Sequence, residues 1–250
     1  MSKRSSETEA TNPSKKQKAL KVATKEEWLK ARKEILAEEK KLSRATLALA
    51  AKRQAMPWVE ITTAYEFTDV EGGKCKLADL FKKTDELVVY HLMYQDNWEK
   101  GCSSCSAWLD SLNGAYPHIA QRTNLVCVGK ASHFKLAKFA KDKGWEIPCY
   151  SSLGSSFNKD FGVEFSEEER KSGSKLYNFG ASTWAYAEQA PGLSVFHKDE
   201  SGKIYLTYSA YGPGLVPFNC MFGVIDCIVP GRAEKGKRNM WWIKHKEEYD

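Results

Sequence analysis

Hydrophobic and polar positions follow three successive patterns along the chain. Residues 1–22 show no apolar periodicity and, Thr and Val22 apart, no aromatic or β-branched residue, which is the composition of a disordered tail. Over residues 23–56 apolar positions recur every seven residues, at Trp28, Ile35, Leu42 and Leu49, with Leu29, Leu36 and Leu47 beside them. Thr24 and Glu27 form a capping-box pair ahead of this stretch, and Pro57 stops it. The spacing predicts one long helix to about Arg53 with a single apolar stripe, suited to packing on its own domain; a dimer seam is the rival reading.

From Pro57 onward the period shortens. Residues 58–61 and 65–68 alternate as strands around a turn at 71–74, and 77–81 reads as one helical turn. Residues 87–93 are a buried strand by their apolar run, and 125–128 are a second. Between them lies a helical pattern with Trp108, Leu109, Leu112 and Tyr116 on one side. Ser132 opens a further helix that Gly144 closes, and 147–150 is short and extended. Strand, helix, strand, helix at this spacing predicts a parallel sheet with helices on its faces. Residues 151–190 are rich in Ser, Gly and charge, with aromatics at intervals (Phe157, Phe161, Phe165, Tyr177, Phe179, Trp184, Tyr186) that we expect to pack on the body. An antiparallel hairpin follows, 191–196 and 203–208 turned by 199–202, then a partly helical apolar stretch at 218–229 and a basic loop at 231–238.

The candidate chemistry sits between the first buried strand and its helix, at Gly101-Cys102-Ser103-Ser104-Cys105. A dithiol at a strand-to-helix junction is a redox arrangement. The first thiol meets the unpaired N–H groups and the positive end of the helix, which favour its anion, and the thiolate is the nucleophile of disulfide exchange. Cys102 is therefore the expected nucleophile and Cys105, one turn on, the resolving thiol. The alternative is a structural metal clasp, but zinc takes four ligands, usually as two close pairs, and no second Cys-x-x-Cys or His-x3-5-His is present. No metal is expected. His91, within the buried strand, reads best as a core histidine. Gly212-Pro213-Gly214 lacks the third glycine of a nucleotide fingerprint, so no cofactor is expected.

Composition adds limits. The 250 residues are 42% hydrophobic, enough for one large core with appendages. Seven cysteines, an odd number without framework spacing, suit a reducing compartment. The net charge of +6 is mostly that of residues 1–21, where six basic residues stand against two acidic ones. The remainder is nearly neutral, which argues against a nucleic-acid groove. Lys3-Arg4 followed after ten residues by Lys15-Lys16-Gln17-Lys18 has the spacing of a bipartite nuclear import signal, and would imply a eukaryotic source; a solvated basic tail is the plainer reading. No stretch is long and apolar enough for a membrane span, and the start is not signal-like, so a cytoplasmic or nuclear location is expected.

The order of these features resembles a thioredoxin-like family of unknown function whose members are often labelled predicted dithiol-disulfide oxidoreductases. The resemblance is carried by Trp28 with Ala31-Arg32, Met56-Pro57-Trp58-Val59, Leu77-Ala78-Asp79-Leu80-Phe81, Val89-Tyr90-His91-Leu92-Met93-Tyr94 and Gly101-Cys102-Ser103-Ser104-Cys105-Ser106. Gly144-Trp145, the run Ser151-Ser152-Leu153-Gly154-Ser155-Ser156-Phe157-Asn158-Lys159-Asp160-Phe161, Pro191-Gly192-Leu193-Ser194-Val195-Phe196 and Thr207-Tyr208-Ser209 complete it. It implies an α/β, thioredoxin-like three-layer fold in the branch shared with peroxiredoxins: a mixed central sheet, a long N-terminal helix, and an irregular insertion before the last hairpin. It also implies that Cys102 and Cys105 are a redox pair, and that Pro191, just before the strand facing the dithiol, is a cis proline whose backbone receives a partner's extended chain. An ordinary proline at a strand start is the rival reading. Peroxiredoxins carry Pro-x-x-x-Thr/Ser-x-x-Cys; here those two positions are Gln95 and Glu99, which places peroxide reduction behind disulfide exchange.

The expected organisation is a tail at 1–22, a helix at 23–56 and a thioredoxin-like domain at 57–250 with an insertion at about 151–190. The expected function is thiol-disulfide exchange on a protein or small-molecule disulfide, with a cellular thiol as reductant and Pro191, Trp98, Ser103 and Ser104 as substrate contacts. No membrane or specific nucleic-acid partner is expected; a homodimer is open. The alternatives are a non-catalytic binding module on the same fold or, behind it, a thiol peroxidase.

Overall fold

The computed structural model describes residues 22–250, so the bipartite basic pattern within residues 3–18 lies outside them. The described residues divide into two compact units, 22–53 and 54–250. Helix α1 (Lys25–Gln54) opens on the predicted capping box: the Glu27 carboxylate accepts from the Thr24 N–H at 2.8 Å and the Thr24 hydroxyl from the Glu27 N–H at 3.2 Å. None of its residues is buried.

The second unit is built on an eight-stranded sheet. Its strands are β1 (Val59–Glu60), β2 (Glu66–Asp69), β3 (Lys74–Lys76), β4 (Glu86–Gln95), β5 (Asn124–Lys130), β6 (Cys149–Ser151), β9 (Gly192–Lys198) and β10 (Ile204–Tyr211). A small separate hairpin joins β7 (Leu176–Tyr177) to β8 (Ser182–Thr183). The order across the sheet is β1-β10-β9-β4-β5-β6-β2-β3. Strands β4, β5 and β6 run parallel, as the strand–helix alternation predicts, while β9 lies antiparallel to β4 and β10 antiparallel to β9. The inner run β5-β4-β9-β10, two parallel strands beside an antiparallel hairpin, is the thioredoxin-like arrangement. Hairpin β2–β3 extends one edge and β1 the other, pairing with β10.

Alternation along the central strands divides the core between the two faces of the sheet. Tyr90, Leu92, Leu125, Cys127 and Leu193 face helices α2 (Ser103–Ile119) and α3 (His133–Lys143). Leu87, Val89, Val126, Val128 and Phe196 face the opposite way, against Phe157 and Phe161 at α4 (Phe157–Asp160). Helix α3 ends as predicted, with Gly144 at φ 64° in the left-handed region that a Cβ disfavours. The Ser132 side chain makes no capping bond; instead its N–H donates to the Asp96 carboxylate at 2.9 Å.

Residues 151–190 hold α4, the short helix α5 (Glu167–Ser172) and the β7–β8 hairpin. Phe157, Phe161, Phe165 and Tyr177 are buried as expected, whereas Phe179 and Tyr186 stay exposed at 79% and 65%. The apolar stretch after β10 contains α6 (Cys220–Ile225). No helix among the described residues is long and apolar enough to cross a membrane.

Candidate functional site

Strand β4 runs past its pairing with β9, which ends at His91, and delivers the chain into a loop at 95–101. The loop is turned at its start, where the Trp98 N–H donates to the Gln95 carbonyl at 3.1 Å. It is pinned from α3 by Lys135, whose ammonium donates to the carbonyls of Asp96 and Trp98. The Cys102 N–H then donates back to the Met93 carbonyl at 2.9 Å, which seats the start of α2 on the end of β4. Cys102 is the N-cap of α2, extended at φ −60° and ψ 129°, and the Ser106 N–H donates to its carbonyl at 2.9 Å. Gly101 fits here because it has no side chain. A Cβ would come within 2.8 Å of the Phe139 ring.

The two thiols of the pair differ in kind. Cys102 is half-buried; Cys105, one turn into α2, is 2% exposed and packs with Tyr90, Trp108 and Cys127. All seven cysteines are free thiols. The Cys105 thiol donates toward the Cys102 sulfur, and the N–H groups of Cys105 and Ser104 and the Ser104 hydroxyl are turned on it as well. Together they outweigh burial and pull the Cys102 thiol down to about 7. None of them closes a capping hydrogen bond of strict geometry; they act as dipoles aimed at the sulfur. Cys105 is pushed the opposite way by its interaction with Cys102 and by burial, opposed by the Met93 backbone and the Tyr90 hydroxyl. One thiol is thus set to ionise and its neighbour to keep its proton.

The remaining residues expected from the sequence fall in different places. Trp98 is half-buried against the same core as the dithiol, and Ser103 donates its hydroxyl to the Ile243 carbonyl at 3.3 Å. Glu99 is exposed, and its carbonyl accepts from the Tyr94 hydroxyl at 3.3 Å. Pro191 departs from expectation: its peptide bond is trans, the one cis bond among the described residues being Val229–Pro230. The Pro191 carbonyl accepts from the Tyr177 hydroxyl at 2.6 Å, and that hydroxyl accepts from the Gly212 N–H at 2.9 Å. The Ala190 N–H before it donates to the Val163 carbonyl at 2.9 Å. The insertion therefore occupies the backbone that was expected to receive a partner's chain.

His91 lies on the face of the sheet turned away from the thiols. Its Nε2 bonds the Ser194 hydroxyl at 2.9 Å, its Nδ1 has no partner, and its ring stacks on Phe157 and Phe161. Among the described residues no group of three or more His, Cys, Asp and Glu is close enough to hold a metal ion.

Three contributors to the site were missed in the sequence. Tyr90 has the strand parity of Leu92, and that signal would have placed it on the face that α2 covers, where its hydroxyl meets Cys105. Cys127 and Cys149 are register partners on β5 and β6, with their thiols in contact beneath the dithiol, a pairing that depends on strand order. The segment around Ile243 lies 140 residues from Ser103, and nothing local announces that contact.

Comparison with solved structures finds similar folds at low identity. A peroxidoxin, BcpB, from Mycobacterium tuberculosis is 16% identical over 63% of this chain and 87% of its own, with a TM-score of 0.43. A Xanthomonas campestris peroxiredoxin Q mutant is 11% identical over 65% and 90%, with a TM-score of 0.44. A peroxiredoxin-like protein from Aquifex aeolicus is 12% identical over 62% and 74%, with a TM-score of 0.39. The fold assignment rests on the strand order rather than on these likenesses. No curated protein matches the chain. The family match is extensive, covering residues 17–249, and the chain belongs to the family described as "Bacterial protein of unknown function (DUF899)".

Proposed function

We propose that the protein is a thiol-disulfide oxidoreductase working through Cys102 and Cys105. The observation that carries this reading is the asymmetry of the pair, a Cys102 thiol lowered to about 7 beside a buried Cys105 that retains its proton. Near neutral pH the Cys102 thiolate attacks one sulfur of a substrate disulfide. The S–S bond breaks, a mixed disulfide forms, and the departing thiolate takes a proton from water. The Cys105 thiol then loses its proton and attacks the Cys102 sulfur, closing Cys102–Cys105 and releasing the second substrate thiolate, which is protonated in turn. The substrate disulfide is reduced to two thiols and the pair is oxidised; an external dithiol reverses the exchange and resets it. In this reading the Tyr90 hydroxyl eases loss of the Cys105 proton, the Ser104 hydroxyl steadies the Cys102 thiolate, and Trp98 offers the substrate an apolar rim.

The test is the pH dependence of Cys102 alkylation by iodoacetamide, read by peptide mass spectrometry, with a redox titration of the pair. We expect a midpoint near pH 7, so that about a tenth of Cys102 is thiolate at pH 6 and about nine-tenths at pH 8. Cys105 stays unmodified throughout this range. A Cys102 midpoint at that of an ordinary thiol, or a pair that never forms a disulfide, sinks the proposal.

A further inference from the structure

We propose that residues 243–248 form a strap that lies across the dithiol and gates access to Cys102. The inference rests on Cys102 being the reactive thiol, and goes beyond it by assigning a regulatory element to the same site. The strap is attached on both sides of Cys102. Ahead of it, Lys100 pairs with Glu248 at 2.9 Å. Directly after it, the Ser103 hydroxyl donates to the Ile243 carbonyl at 3.3 Å. Further along α2, Asp110 pairs with Lys246 at 3.2 Å. From α3, Lys143 reaches both Glu247 oxygens, at 2.7 and 2.8 Å, and its carbonyl accepts from the Lys246 ammonium.

Apolar contact completes the cover. Ile243 is 6% exposed and shares the core that holds Cys105 and Phe139, with Cys102 packed against it. The His245 ring stands edge-on to Phe139 at 5.8 Å, on the ring that Gly101 abuts.

The form of these attachments makes the strap releasable. Its backbone hydrogen bonds are local, Ile243 N–H to the Met240 carbonyl and Glu248 N–H to the His245 carbonyl. Its hold on the body is through side chains, and two of its three ion pairs, Lys100–Glu248 and Lys246–Asp110, join partners that are partly exposed. Such pairs are individually weak and screened by salt, so the segment's hold rests on the Lys143–Glu247 pair and the buried Ile243, the contacts that opening must break. Closed, it occupies the Ser103 hydroxyl and covers the flank of Cys102; a substrate larger than a small thiol reagent must displace it.

The test compares alkylation of Cys102 by iodoacetamide and by a polyethylene-glycol maleimide in the full chain, at pH values where the rate no longer rises. That limiting rate reads access, while the pH midpoint of the same curves reads the thiolate. The variants are the pair Glu247→Gln with Glu248→Gln and, separately, Ile243→Ala. We expect each to raise the limiting rate at least threefold, more for the bulky reagent than for iodoacetamide. Added sodium chloride should move the wild-type rate toward that of the variants. Equal limiting rates in wild type and in variants with the wild-type unfolding midpoint overturn the strap. Should the double variant not fold, Ile243→Ala and the salt series decide the question, a flat salt series with an unchanged Ile243→Ala rate overturning it. A midpoint near an ordinary thiol with an intact rate difference would instead remove the oxidoreductase reading and leave the strap.

Discussion

The division of labour between two chemically identical side chains arises from three positions of difference along one helix. Cys102 stands at the N-cap, where free N–H groups converge; Cys105 stands inside the first turn, where the core begins. Tyr90 is what keeps Cys105 usable, since its hydroxyl is the side-chain group that works against the rise in the Cys105 thiol. Tyr90→Phe should therefore raise the Cys105 thiol further and slow its attack on a mixed disulfide. After reaction with an aromatic disulfide reagent, the adduct on Cys102 should persist several-fold longer than in wild type, as followed by release of the coloured thiolate. Unchanged persistence would show that Tyr90 only packs. Loss of one buried hydrogen bond costs about 1 kcal/mol, so the variant should fold.

At the scale of elements, the site is a junction: the end of β4, the loop 95–101 and the start of α2. The strand and the helix were legible in the sequence because one is a continuous apolar run and the other keeps its apolar residues on one side. The loop was legible only as polar and long. Its shape comes from Lys135 and Ser132 of the α3 region, some 35 residues on, and no local propensity encodes that. Gly101 is the tightest point, with the Phe139 Cε1 atom 2.8 Å from where a Cβ would lie. Gly101→Ala should cost about 1–3 kcal/mol by overpacking, measurable as a shift in the urea midpoint, and should move the start of α2 off the Phe139 ring. A variant with the wild-type midpoint would mean that Phe139 can turn aside freely. The cis expectation for Pro191 failed at this scale too. The insertion supplies Tyr177 and Val163 as partners for the backbone around it, so the segment is held as an internal part of the fold.

For the molecule as a whole, the sheet separates the face that carries the dithiol from the face that holds His91, and the second bears on acid stability. His91 is buried there, and burial lowers it from 6.5 to about 3, so the native state keeps it neutral where the unfolded chain takes a proton. The unfolded state then binds more protons between pH 6.5 and about 3, and stability must fall as pH drops through that window. Between pH 7 and pH 5 this one group removes about 2 kcal/mol, by the conversion of about 1.4 kcal/mol per pH unit. His91→Gln, which can still reach Ser194, should show a shallower loss over the same interval in urea unfolding; an identical loss would assign the acid sensitivity elsewhere.

The sequence by itself determined the periodic elements and their order, the dithiol at a strand-to-helix junction, and through that order a parallel core with a closing hairpin. These follow from local rules, since helix and strand periods, caps and turn residues act within a few positions. Tertiary structure alone decided which groups meet around the dithiol and its neighbouring strands. Tyr90 over Cys105, Cys127 beside Cys149, Tyr177 on Pro191 and Ser103 on Ile243 join residues 14 to 140 positions apart. Their meeting depends on strand order and on which face of the sheet each side chain takes, and those are settled only when the whole core is packed.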